Sequence, residues 1–213
     1  MKIDFVSDIS CPWCAIGLHS LEQALERLPG PVEVDWHFQP FELNPQMGPE
    51  GQEITEHLAQ KYGASAEQSE RTREQIRARG EAVGFTFRMD KRDRIYNTFD
   101  AHRLLHWAGL EGRQRELKHA LFAAYFTEGE NPGDVEVLVR AAGLAGLDIA
   151  RAREVLDSGA YAREVREAES QWLENGISSV PAVIINDRHL IQGGQPPEVF
   201  ERALRQILSE PAA

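Results

Sequence analysis

The sequence predicts an α/β protein in which a β-α-β opening and a β-β-α ending frame a large all-helical insertion. Three observations predict it. Strand-like runs stand only near the two ends, the middle of the chain keeps a helical apolar period, and both cysteines sit on the first strand-to-helix corner. At 213 residues the chain is long enough for one large domain or for a small domain carrying another inside it. The expected boundaries are 1–45 and 176–213 for the framing unit and 46–175 for the inserted helical unit.

Lys2 to Val6 reads as the first strand. Leu18, Leu21, Leu25 and Leu28 then mark a helix that stops at Pro29-Gly30, and Val32, Val34, Trp36 and Phe38 alternate through a second strand. A β-α-β unit implies a right-handed crossover and parallel pairing. From Ile54 to Asn175 only helices are expected. Ile54 to Tyr62 and Glu67 to Val83 are highly charged, whereas Thr98 to Trp107 and Leu117 to Phe126 are apolar enough to form the bundle centre. Past a loop at Gly129 to Gly133, helical period resumes in Val135 to Ala142, Ile149 to Leu156 and Tyr161 to Leu173, with Asp134 and Asp148 as N-caps and Gly176 as a stop. Ala182 to Ile185 is a β-prone run, Asn186-Asp187 a turn, and His189 to Gln192 the returning strand. Gly193-Gly194 breaks that strand, and Pro196-Pro197 opens a final helix through Val199, Leu204 and Leu208. The insertion is expected beside the cysteine corner, because the sheet is assembled from the two ends.

The corner reads Cys11-Pro12-Trp13-Cys14. A strand ending in Cys-x-x-Cys, with a helix starting on the first cysteine, is the layout of a dithiol that forms and breaks a disulfide. Unpaired N–H groups at the helix start stabilise a thiolate, and Pro12 at the first helical position gives up an N–H that has no partner there. Cys11 is then the attacking sulfur and Cys14, one helical turn on, the resolving one. A buried structural pair fits badly with a Pro-Trp insert. Half a zinc site is the other alternative, since His102 and His106 carry the spacing of a histidine pair. Small zinc modules keep their halves about 12–15 residues apart, and nearly half the chain intervenes here, so no metal is expected. His19 is expected on the surface, and Trp13 as an exposed platform or a cover for the sulfurs.

The formal net charge of −11 argues against nucleic acid or an anionic membrane as partner. Acidic residues interrupt the opening Met-Lys-Ile-Asp-Phe-Val-Ser-Asp where a signal peptide needs an apolar run, and no window approaches the ~20 apolar residues of a membrane span. The expected location is cytoplasmic. A lone dithiol there is more plausibly catalytic than structural.

The frame, the Cys11–Cys14 corner and Val180-Pro181 before a strand resemble a thioredoxin fold. The helical insertion, Gly193-Gly194-Gln195-Pro196-Pro197, Phe41-Glu42-Leu43-Asn44-Pro45 and Asn97-Thr98-Phe99-Asp100-Ala101-His102-Arg103 resemble the DsbA family, more narrowly its FrnE-type branch. The resemblance covers essentially the whole chain. It implies a thiol–disulfide oxidoreductase or isomerase whose Cys11 and Cys14 are supported by Pro12, Trp13 and a cis-Pro181, and which acts on proteins with thiols or disulfides. No bound cofactor is implied beyond the redox-active Cys11–Cys14 pair. A rival within the superfamily is the kappa-class glutathione transferase or hydroxychromene-carboxylate isomerase, which takes glutathione as co-substrate but typically carries serine at the position of Cys11. In that reading Asn44, Val180, Gly194 and Gln195 bind the ligand. A non-catalytic binding module is the remaining alternative.

Overall fold

The computed structural model describes residues 1–210. It opens with β1 (Lys2–Ser7), α1 (Pro12–Glu26) and β2 (Asp35–Pro40). Helix α1 ends before the sequence expectation. The Leu28 N–H closes a tight turn onto the Leu25 carbonyl, and Pro29 disfavours a helical residue in front of it. β2 also starts later than the alternation at Val32 suggests. Its parallel ladder pairs Lys2 with Asp35, so no β1 residue stands opposite Val32 or Val34.

Next come β3 (Gln52–Glu53), α2 (Ile54–Tyr62), α3 (Ala66–Ala82), β4 (Arg94–Ile95), α4 (Phe99–Leu110) and α5 (Gln114–Phe122). The β3–β4 pair corrects the expectation of helices alone. A two-residue ladder is too short to leave a period in the sequence. A π-helical turn, Ala123–Thr127, extends α5, and α6 (Val135–Leu144), α7 (Ile149–Asp157) and α8 (Ala162–Glu174) complete the helices of this region. Asp134 and Asp148 cap α6 and α7, each through two backbone N–H groups. The chain closes with β5 (Ala182–Ile185), β6 (His189–Gln192) and α9 (Pro197–Ser209). Asn186 and Asp187 both take left-handed φ values, as a two-residue hairpin turn requires.

Strand order in the main sheet is β2-β1-β5-β6, with β1 parallel to β2 and antiparallel to β5. This register sets the site. Val6 pairs with Ala182, so Pro181 falls beside the end of β1, where the chain turns towards Cys11. One continuous apolar core joins Phe5, Ile16, Leu18 and Phe38 of the frame to Leu104, Leu121, Phe122 and Leu138 of the helices. The helical region is thus packed directly against α1 and β2.

Candidate active site

Cys11 is the N-cap of α1, with extended backbone angles, and Pro12 occupies the first turn. The Cys14 N–H bonds the Cys11 carbonyl at 3.0 Å, winding the helix directly from the first cysteine. Both thiols are free and buried, Cys11 at 3 % exposure and Cys14 at 0 %. The Val180–Pro181 bond is cis, and the Cys11 thiol donates to the Val180 carbonyl at 3.7 Å. Close packing holds this contact. A methyl group on Gly17 would lie 3.1 Å from Pro181 Cγ, and one on Gly194 would lie 2.7 Å from the Trp13 carbonyl oxygen. The Gly193 N–H also bonds the Pro181 carbonyl at 2.8 Å.

Behind the corner lies a polar cluster that pattern reading missed. Asp8 is buried, and its carboxylate accepts from the Ser10 N–H and hydroxyl, the Leu43 N–H at 2.7 Å and the Thr98 hydroxyl at 2.8 Å. His102 Nε2 stands 3.6 Å away, beyond hydrogen-bond length yet close enough to act by charge. Burial alone would raise the Asp8 pKa; His102, the Leu43 N–H and the Thr98 hydroxyl together hold it at about 2. Cys14 moves the opposite way. Burial, then the adjacent Cys11, push its thiol well above the ordinary range, against a backbone hydrogen bond from Asp8 and the charge of Lys118.

The segment Asn97 to Arg103 thereby acquires a structural role. Thr98 and His102 address Asp8, Asn97 donates to Glu42 and the Met47 carbonyl, and Arg103 donates to the carbonyls of Val155, Leu156 and Ala160. His102 is spent on this cluster, while His106 lies against Tyr161, ring centroids 5.1 Å apart. The Cys₂His₂ alternative has no geometry behind it. Among the described residues, only His19, Glu22 and His119 bring three metal-type ligand atoms within 4.8 Å of one another. Glu22 there already accepts from Arg115 at 2.7 Å and lies 2.8 Å from His119. His19 is not a surface residue. It is half-buried between Phe85 and His119, and burial, then His119, lower its pKa against the pull of Glu22.

In front of Cys11 opens a cavity of about 450 Å³. Leu43, Ile54, Leu58, Tyr62, Ile76 and Val180 give it apolar walls, and Arg73 and Arg92 add two cations. Trp13 lines one side, half-buried, with the Arg79 guanidinium 5.9 Å from its ring centroid. Of the residues named from sequence, Cys11, Pro12, Trp13, Asn44 and Val180 meet here. Lys61 already holds the Asn44 side-chain oxygen at 2.7 Å. Gly194 and Gln195 do not join them. The Gly194 carbonyl accepts from Arg79 and the Gln195 amide donates to the Gln192 carbonyl, so Gly194 is a packing position behind Trp13.

A family model described as the DSBA-like thioredoxin domain matches residues 2–205. The chain belongs to this DSBA-like family. Fold and corner agree with that membership: a thioredoxin-type sheet, a helical insertion and a dithiol at the start of α1. The uncharacterised protein YwbO of Bacillus subtilis (strain 168) is 29% identical over 205 residues, spanning 96% of each chain. A probable DsbA oxidoreductase of Streptomyces coelicolor superposes with a TM-score of 0.92 at 36% identity, covering 100% of this chain and 92% of that one. The cytosolic disulfide reductase DsbM of Pseudomonas aeruginosa, solved with glutathione, has the same fold at a TM-score of 0.66 and 18% identity, covering 99% and 100%.

Proposed function

We propose that this DSBA-like protein is a FrnE-type dithiol–disulfide oxidoreductase in which Cys11 attacks and Cys14 resolves. The observation that carries the reading is the position of Cys11. It caps α1, faces the Val180 carbonyl and opens onto an apolar cavity, while Cys14 lies behind it with a raised pKa. The Cys11 thiolate attacks a substrate disulfide, whose S–S bond breaks as a mixed disulfide forms and one substrate thiolate leaves and is protonated. Cys14 then loses its proton and attacks the Cys11 sulfur, the second substrate thiolate departs, and two electrons have passed from protein to substrate. Oxidation of a substrate dithiol runs the same steps backwards. The Val180 backbone offers hydrogen-bonding groups to an extended segment laid beside the corner.

Glutathione is the small thiol partner that the cavity favours. Arg73 and Arg92 supply charges for carboxylates in the open cavity next to Cys11, and a disulfide reductase of the same fold was solved with glutathione. A cytoplasmic setting belongs to the same reading, since that relative is described as cytosolic. No described helix is long and apolar enough to cross a membrane.

Trapping tests the division of labour. Cys14→Ser should accumulate mixed disulfides with substrate protein or glutathione that release on reduction, and Cys11→Ser should lose both turnover and trapping. Turnover retained by Cys11→Ser, on protein disulfides or on glutathione-linked substrates, would overturn the assignment. The Cys11–Cys14 potential, measured in glutathione buffers, sets the working direction, with about 30 mV for each tenfold in equilibrium constant.

A further inference from the structure

The cavity in front of Cys11 is charged in one sense only. The chain carries 34 acidic and 23 basic side chains, yet no aspartate or glutamate lines this space, whereas Arg73 and Arg92 do. Asp8 lies behind the corner, its oxygens taken up by Ser10, Leu43 and Thr98. His57 shares the cavity wall and stays uncharged at neutral pH, because burial, then the charge of Lys61, lowers its pKa. Other cavities of the molecule mix the signs, Glu53 and Glu56 with Arg94 in one, Asp35 and Glu116 with Arg115 in another.

Arg92 is the anchor of that charge. The cations around it are matched: Arg88 pairs with Asp90 at 2.8 Å, Lys91 with Glu128 at 2.8 Å, and Arg94 donates to the carbonyls of Glu50 and Gly51. Among the described residues no carboxylate lies within ion-pair distance of Arg92, and its Nε is shut from solvent without a hydrogen-bond partner. The guanidinium is seated instead on two buried rings, 4.7 Å from the Tyr125 centroid and 5.0 Å from the Phe126 centroid. The π-helical turn Ala123–Thr127 sets these rings side by side, centroids 4.8 Å apart. A guanidinium cannot shed its charge, and ring faces offset only part of its lost hydration, so Arg92 keeps donors for a carboxylate. Arg73 is held more loosely, reaching Thr55 at 3.5 Å and Glu70 at 3.9 Å.

We propose that this cavity selects anionic disulfides and thiols of peptide size, with Arg92 the specificity-determining residue that takes a substrate carboxylate while the substrate sulfur meets Cys11. This rests on the reading of Cys11 as the attacking sulfur and adds a charge requirement to it. A space of about 450 Å³ suits a ligand of a few residues. With the carboxylate on Arg92, the Cys11 thiolate attacks the nearer substrate sulfur. The substrate S–S bond breaks as the bond to Cys11 forms, and the other half leaves as a thiolate that takes up a proton. Arg92 acts on encounter and orientation, so the gain depends on the charge carried beside the disulfide rather than on the disulfide itself.

The test compares small disulfides of different charge at neutral pH and low salt: acidic glutathione disulfide, neutral hydroxyethyl disulfide and cationic cystamine. In a Cys14→Ser background the mixed disulfide on Cys11 cannot resolve, and its rate of formation is read by mass spectrometry. The glutathione-to-cystamine rate ratio, divided by the same ratio for free 2-mercaptoethanol, should exceed roughly ten and fall with added salt. Arg92→Met should lower the ratio roughly tenfold, as loss of a hydrogen-bonded charge does, and Arg73→Gln should lower it less. Arg92→Lys keeps the charge without the fork and should fall between the parent and Arg92→Met. Slowing of all the disulfides alike by Arg92→Met would leave the ratio at its parent value, make Arg92 a packing residue on Tyr125 and Phe126, and overturn the proposal. Ready adduct formation at a corrected ratio near one in the parent would also overturn it, while leaving exchange at Cys11 intact. No adduct with any of these disulfides would overturn the exchange reading itself, and the proposal with it.

Discussion

The two sulfurs of one helical turn face different environments. The Cys11 side is an open cavity with mainly apolar walls and two cations, Arg73 and Arg92, bordered by the Val180 carbonyl and the Trp13 ring. The Cys14 side is closed and charged, with a buried carboxylate at Asp8, a buried ammonium at Lys118 and a histidine at 102, contributed by the β1–α1 connection, α5 and α4. A helix start alone would treat the two thiols by distance from its end. At Cys14, burial, then the neighbouring Cys11, raises the thiol pKa, against the Asp8 backbone and the charge of Lys118. Reactivity at the front is decided by access, and reactivity at the back by electrostatics in a low-dielectric interior.

The comparison breaks first at Asp8. Asp8→Ala strands the donors of Ser10, Leu43 and Thr98 in the interior and should cost about 3 kcal/mol in urea unfolding. The acid limb gives a second check. The folded pKa of about 2 lies below the ordinary 3.8, so the stabilisation is complete above about 3.8 and lost as pH falls towards 2. Asp8→Ala should flatten that limb. A cost under about 1 kcal/mol would mean that the back of the corner is not one cooperative cluster.

On the front, Gly194→Ala tests the packing that sets the cis-proline loop against α1. The new methyl would meet the Trp13 backbone oxygen, and a backbone atom cannot swing away, so a loss of about 2 kcal/mol in thermal unfolding is expected. Gly17→Ala should be milder. Its 3.1 Å contact with Pro181 is offset by the roughly 1 kcal/mol that alanine gains over glycine inside a helix. Equal losses at the two positions would show that the loop yields as a unit.

The smallest effect is expected at the rim between the helices and the Phe41–Pro45 segment. Arg166 is shared between Glu42 and Glu169, and burial, then the Glu42 charge, raises the Glu169 pKa to about 7. A carboxyl whose folded pKa lies above its ordinary 4.5 loses stability as pH rises from about 4.5 to about 7. Glu169→Gln should remove that slope, leaving the variant relatively more stable at pH 8 than at pH 4 in denaturant titrations. An identical slope in both proteins would place the ionisation elsewhere.

Much of this molecule was legible locally. The Cys11–Cys14 corner, the hairpin at Asn186-Asp187 and the caps at Asp134 and Asp148 each follow from a few neighbouring residues whose backbone preferences agree with the final fold. The β3–β4 ladder was not, since two residues carry no period. His19 was misplaced because helical spacing tells which side of α1 it occupies, but not that Phe85 and α5 cover that side. Gly194 was legible as a break and not as a contact with Trp13.

The sequence by itself determined the elements and the reactive pair, because periodicity, capping and Cys-x-x-Cys spacing act over a few residues. Only the tertiary structure decided the surroundings of that pair. Asp8, Thr98, His102 and Lys118 lie as much as 110 residues apart by their numbering, and of the four only Thr98 and His102 share a segment. Their significance arises from burial together, where lost hydration makes each charge depend on the others, and no local pattern records which distant side chains will share an interior.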